Sequence, residues 1–384
     1  MSLRALGCAA VLLAGLSLAP LAAESELKQQ FSAWFALNDD APSTPRFGLR
    51  YQPTLSLGTA LGAGWKLDSE LSLDLSAAAA APSWKSPDLD GAVEPYRLWL
   101  RLSSSRFEAR LGLQKINFGS ATIFRPLMWF DRIDARDPLQ ITDGVYGLLL
   151  RYYFKSNANI WLWGLYGNDE TKGWETQPTA DKTAEFGGRF QAPLFSGEAG
   201  LTVHRRRLDP GTDGAVLRPT EERLAVDGKW DLGVGLWAEA SFSHRDVPAL
   251  VIPSEGAEPF SWQRTVALGV DYTLALGNGL YLLAEHFSSQ MSAAAFGGSK
   301  DHGSFSALLA RYPLGLLDNL GAVFYYDWRN ERLYSFVSWQ RTTDRWQFHV
   351  MVFWNPRQAQ IFQGSAGSNA FSGRGFQLLA VWNI

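Results

Sequence analysis

Charged side chains occupy alternate positions in many segments of this chain, and charges arranged in this way can select solutes in a water-filled passage. Alternation predicts an inward-facing set that includes Arg97, Arg101, Arg110, Arg151, Arg189, Glu108, Glu185 and Glu239. Arginines on adjacent segments that face acids elsewhere would create a transverse field, which favours some solutes over others. The alternative interpretation is that these charges only solvate the interior and pair with one another.

Histidine would be the clearest indicator of a catalytic base or a metal ligand, and the sequence contains five histidines. No HExxH motif and no pair of histidines spaced i, i+4 occurs, so the pattern predicts no metal site. Residues 244–246 (His-Arg-Asp) and 301–304 (Asp-His-Gly-Ser) hold fragments of a nucleophile-and-base set, but neighbouring strand residues face opposite ways. We therefore expect no catalytic centre and no cofactor, with a hydrolase kept as an alternative.

The longest connection, 119–144, combines charged residues with a bulky apolar run at 127–130 (Leu-Met-Trp-Phe). Its candidate site residues are Arg125, Asp131, Arg132, Asp134, Arg136 and Asp137. A wholly exposed loop would gain nothing from the apolar run, whereas folding inward would bury it and leave the charges around a narrowed aperture. The composition therefore predicts an inward-folded constriction, and the competing interpretation is an external docking surface.

The elements that position these residues are predicted to be β-strands, because apolar and polar residues alternate with a period of two. In the segment 344–354, one face reads Trp346, Phe348, Val350, Val352 and Trp354. In the segment 96–102, Leu98, Leu100 and Leu102 lie opposite Arg97, Trp99 and Arg101. Successive strand side chains point to opposite faces, so each segment has one apolar face and one polar face. A helix would scatter the charges all round.

Connections of two lengths alternate along the chain. Short turns such as 60–64 and 275–279 are followed by longer polar connections such as 79–94 and 118–143. This alternation is typical of outer-membrane barrels, which have short periplasmic turns and long extracellular loops. The sequence predicts one all-β domain, a closed transmembrane antiparallel barrel of about 18 strands (16–18), in which 27–37 is the weakest strand. A soluble two-sheet sandwich is the alternative fold.

The two ends of the chain indicate the compartment. Residues 1–23 have the three parts of a secretory signal peptide, which predicts a barrel domain over 24–384 in the cell outer membrane. The only cysteine, Cys8, falls within this segment, so the barrel domain has no disulfide. The last ten residues, 375–384, alternate as expected of the terminal strand that the barrel-assembly machinery recognises during biogenesis.

The chain resembles porin-like barrels of the alginate-export type over roughly residues 105–155. The resemblance rests on 112–119 (GLQKINFG), 124–126 (FRP), 136–138 (RDP) and Gly144 before the strand VYGLLLRYYF. These motif residues are of types that form turns and bulges. The resemblance therefore implies a porin-like fold.

The leading functional expectation is diffusion of small hydrophilic solutes, anions among them, through the barrel. Its partners would be outer-membrane lipid and the solute, because a net charge of −3 gives no case for nucleic acid. The second hypothesis is a barrel that sheathes or docks a partner protein in export or electron transfer. The oligomeric state is left open.

Overall fold

A computed structural model of the chain describes residues 24–39, 44–80, 88–209, 218–246, 261–297, 302–357 and 371–384. The predicted signal peptide, residues 1–23, lies outside the described residues, and the division into leader and barrel domain stays a prediction. The strands are β1 (Glu24–Asn38), β2 (Arg46–Gly62), β3 (Trp65–Ala80), β4 (Asp88–Ser103), β5 (Phe107–Gln114), β6 (Val145–Tyr153), β7 (Asn159–Tyr166), β8 (Ala184–Leu194), β9 (Gly197–Arg207), β10 (Thr220–Asp231), β11 (Gly235–Arg245), β12 (Trp262–Leu274), β13 (Leu280–Ser292), β14 (His302–Pro313), β15 (Asp318–Asp327), β16 (Arg332–Thr342), β17 (Trp346–Trp354) and β18 (Arg374–Asn383).

The eighteen strands form one antiparallel sheet, in which each strand pairs with its neighbours along the chain. β1 also pairs with β18, from Gln30 opposite Asn383 to Asn38 opposite Gly375. This pairing closes the sheet into a barrel and leaves no open edge at either strand. The prediction of one closed antiparallel barrel of about eighteen strands is therefore confirmed, and the weakest candidate, 27–37, forms most of β1.

The alternation in the sequence becomes a difference between the two faces of the wall. On β17, Trp346 and Trp354 are exposed on the outer face, whereas Met351 and Phe353 are buried on the inner face. Outer-face rings also stack between neighbouring strands around the closing seam, with centroid distances of 4.3 Å for Phe31–Tyr51, 5.6 Å for Phe31–Trp382 and 5.8 Å for Trp346–Trp382. Such ring pairs add to the stability gained from area burial. They tie β18 to β1 and β17 on the outer face.

The connections differ between the two ends of the barrel. At one end, β2 and β3 are joined by Ala63 and Gly64, both in the left-handed region with φ of 50° and 79°. Glycine adopts this region without the steric cost of a Cβ, which suits it to tight turns between strands. At the other end lie the long connections, including residues 115–144 and 167–183. Among the described residues, no helix is long and apolar enough to cross a bilayer.

Candidate functional site: a constriction inside the barrel

Residues 115–144, here called the inward segment, run from the end of β5 into the barrel interior before β6 begins. The Phe124 ring stacks on inner-face Phe287 of β13 at a centroid distance of 5.3 Å, and its side chain is 0% exposed. The Phe130 ring packs edge-on against Trp163 of β7 at 5.5 Å. The segment therefore reaches inner faces on different sides of the barrel and occupies its interior.

Glu285, on the inner face of β13, binds the backbone of the inward segment. One of its carboxylate oxygens accepts hydrogen bonds from the backbone N–H groups of Phe124 at 2.6 Å and Ile123 at 3.2 Å. The other oxygen accepts from the N–H of Thr122 at 2.9 Å and from Trp237 Nε1 at 2.9 Å. Hydrogen bonds to an ionised carboxylate are stronger than those between neutral groups. Glu285 is thus one anchor of the segment.

Glu239, on the inner face of β11, is the second anchor. Its carboxylate accepts hydrogen bonds from the backbone N–H groups of Ala121 at 2.6 Å and Leu127 at 3.2 Å. Gly119 lies against the same carboxylate with φ of +100°, and a Cβ there would be 2.3 Å from Glu239 Oε1. Only glycine meets both constraints without strain. Alternation predicts that Glu239 lines the passage, but in the structure it is buried under the segment.

The inner wall opposite the segment is apolar over a wide area, which the expectation of a charged lumen did not include. The buried inner-face residues include Trp237, Leu283, Phe287, Leu309, Tyr325, Phe336 and Phe353. They pack together with Ile123 and Phe124 of the segment. Burial of apolar side chains against one another stabilises the fold by about 25 cal/mol for each Å² of apolar surface that is removed from water. The segment is thus held by packing as well as by hydrogen bonds.

A second connection, residues 167–183 between β7 and β8, also folds against the segment. The Trp174 ring stacks on Phe287 at 4.4 Å, and its Nε1 donates to the backbone oxygens of Phe124 at 2.9 Å and Arg125 at 3.2 Å. Gly173, with φ of +44°, packs so closely that a Cβ would be 1.8 Å from the Met128 oxygen. This contact was not predicted from the sequence, although a Gly-Trp pair inside a polar loop was a signal for it.

A buried ion network fixes the second connection to the wall. Glu221 of β10 contacts Arg206 at 2.8 Å, Arg223 at 2.5 Å and Arg245 at 2.8 Å. Glu175 of the connection contacts Arg206 at 3.0 Å and Arg223 at 2.6 Å. Removing one member of such a network would leave a buried charge without compensation, which costs several kcal/mol. The network therefore keeps the second connection in place.

Two other residues predicted to line the passage, Arg189 and Glu185, face inward but are covered. Arg189 contacts Asp227 through two hydrogen bonds of 2.5 and 2.9 Å. Glu185 lies 3.1 Å from Nε2 of His204, whose ring also contacts Trp129 and Phe130 of the segment. These side chains are buried, so they support the segment rather than contact open water.

The predicted arginine ladder is present on β4, β5 and β6, and a carboxylate lies within it. Glu108 is 3.0 Å from Arg110, 3.5 Å from Arg151 and 4.0 Å from Arg101. Arg101 also contacts Asp68 of β3 at 2.9 Å. The acids therefore alternate with the arginines on the same wall and do not face them from the opposite side.

Arg97 is the member of the ladder that contacts the inward segment. Its guanidinium donates to the backbone oxygen of Thr142 at 2.9 Å and lies over the Tyr96 ring at 3.9 Å. The side chain is buried between the wall and the end of the segment. Arg97 thus joins the ladder to the constriction.

The predicted charges of the segment form pairs of their own. Arg125 and Asp131 are buried and joined at 2.8 and 2.9 Å, and Arg136 contacts Asp134 at 2.6 Å. These four charges are paired with one another within the segment, so they stabilise its shape. Arg132 links the two connections, because it donates to the Thr171 oxygen at 2.7 Å.

Asp137 is the predicted segment acid that contributes to the wall of a cavity. Its carboxylate accepts from the backbone N–H groups of Leu139 and Ile141, each at 3.0 Å. Burial raises the pKa of this carboxyl above its ordinary 3.8, against the lowering effect of these two hydrogen bonds. Within the part of the chain that the structure describes, no three carboxylate or imidazole groups converge as metal ligands would.

No family model and no curated protein matches the sequence. Solved structures with the same architecture are similar over nearly the whole chain at low identity. OccD3 (OpdP) of Pseudomonas aeruginosa is 11% identical with a TM-score of 0.56, over 94% of this chain and 92% of that one. OccAB1 of Acinetobacter baumannii is 10% identical with a TM-score of 0.54, over 94% and 96%. An anion-selective porin from Comamonas acidovorans is 15% identical with a TM-score of 0.51, over 94% and 99%. This likeness shows the fold, a closed barrel of the porin kind.

Proposed function

We propose that the chain forms a channel in the outer membrane for diffusion of small hydrophilic solutes. The observation that supports this most strongly is the inward segment. It contains no strand, and it narrows the interior of the closed barrel. The outer face of the wall is apolar and suits lipid, whereas the interior carries the ion pairs described above. A barrel of this size has an interior too wide for wall side chains alone to fill.

Cavities on both sides of the inward segment support the existence of a passage. One, of about 400 Å³, lies between the segment and β14–β18. The other, of about 260 Å³, lies between the end of the segment, β3–β6 and the second connection, and its wall includes Asp74, Glu94 and Lys172. Solutes would pass beside the segment, in contact with both its charges and the barrel wall.

Small solutes, anions among them, are a better cargo for this geometry than a polymer. The alginate-type resemblance suggests a uronate polymer, which would need a wide lumen with many free cations. Here Arg101, Arg110 and Arg151 share Glu108 and Asp68, and the segment occupies much of the interior. The neutralised ladder therefore favours small solutes of modest charge.

We also propose that the chain has no enzymatic activity of its own. The ring of His244 packs on Trp262 at 4.5 Å on the outer face, away from the interior. Asp301, beside His302, lies outside the described residues. A catalytic set needs a nucleophile, a base and an orienting carboxylate in mutual contact, and neither fragment brings these together in the described part of the chain.

Reversal potential across a planar bilayer under a salt gradient tests the proposal. Purified protein should give stepwise conductance, and the reversal potential then gives its preference for anions or cations. Absence of conductance from protein that is folded in detergent would contradict the channel and favour a barrel that docks a partner. We also propose that the barrel-assembly machinery inserts the chain into the outer membrane, so depletion of that machinery in cells should lower the amount of folded barrel in the membrane.

A further inference from the structure

The cavity between the inward segment and β14–β18 has two chemically different sides. Its volume is about 400 Å³, within the range of pockets that hold small organic molecules. The apolar side comprises the inner-face residues Leu309, Val323, Phe336, Met351 and Leu379. The polar side comprises Asn319, Ser338, Gln340, His349 and Gln377, with Gln140 from the segment. Amides, a hydroxyl and an imidazole thus lie next to a continuous apolar surface.

His349 on β17 has an unused hydrogen-bonding atom at this cavity. The side chain is 94% buried, since 6% is exposed, and it belongs to the cavity wall. Its Nε2 has no hydrogen-bond partner among the described residues. A buried polar atom without a partner is unfavourable, and a ligand that bonds to it would remove that cost. The atom is therefore available to bond a polar group placed in the cavity.

The charges around the cavity do not favour an ionic ligand. Arg136 is held by Asp134, and the Asp137 carboxylate is held by the backbone of the segment. Arg311 and Asp137, both in the cavity wall, carry opposite charges. The Arg136 guanidinium lies 5.7 Å from the Phe336 ring centroid, and its charge is balanced by Asp134. Complementarity thus favours a ligand without net charge.

We propose that this cavity binds small uncharged amphipathic solutes, which have an apolar body and hydroxyl or amide groups along one edge. The body would lie against Phe336, Met351 and Leu379, and the polar edge would bond to His349 and the glutamine amides. The inference rests on the proposed channel, because the solute reaches the cavity through the barrel. Retention of such a solute beside the constriction would make the channel selective by binding as well as by size.

Single-channel recording with three matched solutes tests the proposal. Phenyl β-D-glucopyranoside has the required apolar body and hydroxyl edge, glucose lacks the body, and phenyl β-D-glucuronide adds a negative charge. The phenyl glucoside should produce current interruptions at least about tenfold longer than those of glucose, because it uses both sides of the cavity. Equal interruptions would overturn the proposal, and longer interruptions with the glucuronide would overturn the uncharged class.

Substitution of the imidazole locates the site. His349→Phe keeps a ring but removes the bonding nitrogen, and it should shorten the phenyl glucoside interruptions about tenfold while conductance is retained. His286→Phe is the matched control, since His286 lies on the outer face bonded to Ser306 at 2.9 Å, and it should leave the interruptions unchanged. If His349→Phe does not assemble, Gln340→Leu serves in its place. If His349→Phe conducts normally and its interruptions are unchanged, this binding site is refuted but the channel is not. Absence of any conductance from the wild-type protein would refute the channel itself.

Discussion

The carboxylate of Glu285 lies 2.6 Å from the backbone nitrogen of Phe124, although the two residues are 161 positions apart in the chain. Thr122 and Ile123 donate to the same carboxylate, so one wall residue receives three consecutive N–H groups of the inward segment. Backbone groups buried inside a protein need partners, and a segment without regular structure cannot supply its own. The wall carboxylate therefore determines where the segment crosses the interior.

Glu285→Gln should loosen the segment. A glutamine has one acceptor oxygen, and its NH₂ group would face backbone donors, so some of the N–H groups would lose their partner. We expect the free energy of unfolding to fall by about 1–3 kcal/mol and single-channel current to become noisier. Glu222→Gln is the control, because Glu222 is exposed and lies 3.7 Å from Arg205. Equal noise in the two variants would contradict the anchoring role.

Deletion of residues 122–140 should raise single-channel conductance, because it removes the part of the segment that occupies the interior. Phe124→Ser is a milder variant that keeps the backbone but loses the ring stacked on Phe287 at 5.3 Å. We expect it to give a smaller increase or more frequent transitions between current levels. Unchanged conductance in the deletion variant would show that the segment does not limit flow.

Sequence periodicity predicted the faces of the wall because it follows from local geometry. Side chains alternate along a strand whatever its partners are, so Arg97, Arg101 and Glu239 could be placed inside without knowledge of the fold. Inward folding of residues 119–144 could be expected because an apolar run in a polar loop needs cover. Both inferences use residues that are close in the chain.

The contacts that the sequence did not predict join distant parts of the chain. Leu127 and Glu239 are 112 positions apart, and nothing local indicates that one binds the other. Phe287 and Leu283 flank Glu285 on the inner face, and an acid between two large apolar residues was the available sign of a buried partner. The bond from Trp174 to Phe124 and the lack of a partner for His349 Nε2 among the described residues depend on contacts with distant residues as well.

Gly119→Ala should destabilise the barrel through the second anchor. The added Cβ would meet Glu239 Oε1 at 2.3 Å, and alanine does not adopt φ of +100° without strain. We expect a loss of about 1–3 kcal/mol in the free energy of unfolding, measured from the urea dependence of the folded band in gels. Gly315→Ala is the control, since a Cβ there meets no atom within 4 Å. Comparable losses in both would mean that the close approach to Glu239 is unimportant.

Acidification should change ion preference through Asp137. Burial raises the pKa of this carboxyl above 3.8, so its negative charge is lost at a higher pH than that of a free aspartate. Because the folded pKa is raised, ionisation of this group costs stability at higher pH, and that cost disappears as the pH falls through the folded pKa. From neutral pH to about pH 4, the reversal potential should shift toward anion preference. Asp137→Asn should show a smaller shift of the reversal potential on acidification than the wild type. A shift equal to that of the wild type would exclude Asp137 as the source.

Glu108→Gln should make the channel prefer anions. Glu108 lies 3.0 Å from Arg110, 3.5 Å from Arg151 and 4.0 Å from Arg101, so its loss leaves a net positive charge on this wall. Charges that line a narrow passage attract ions of opposite sign and repel those of the same sign. We expect the reversal potential to move toward the anion value, and more at low salt than at high salt because screening weakens the effect. Glu26→Gln removes an equal charge whose 3.0 Å contact is to exposed Lys28, and it should leave the potential unchanged. If Glu108→Gln leaves it unchanged as well, the ladder does not face the path of the ions.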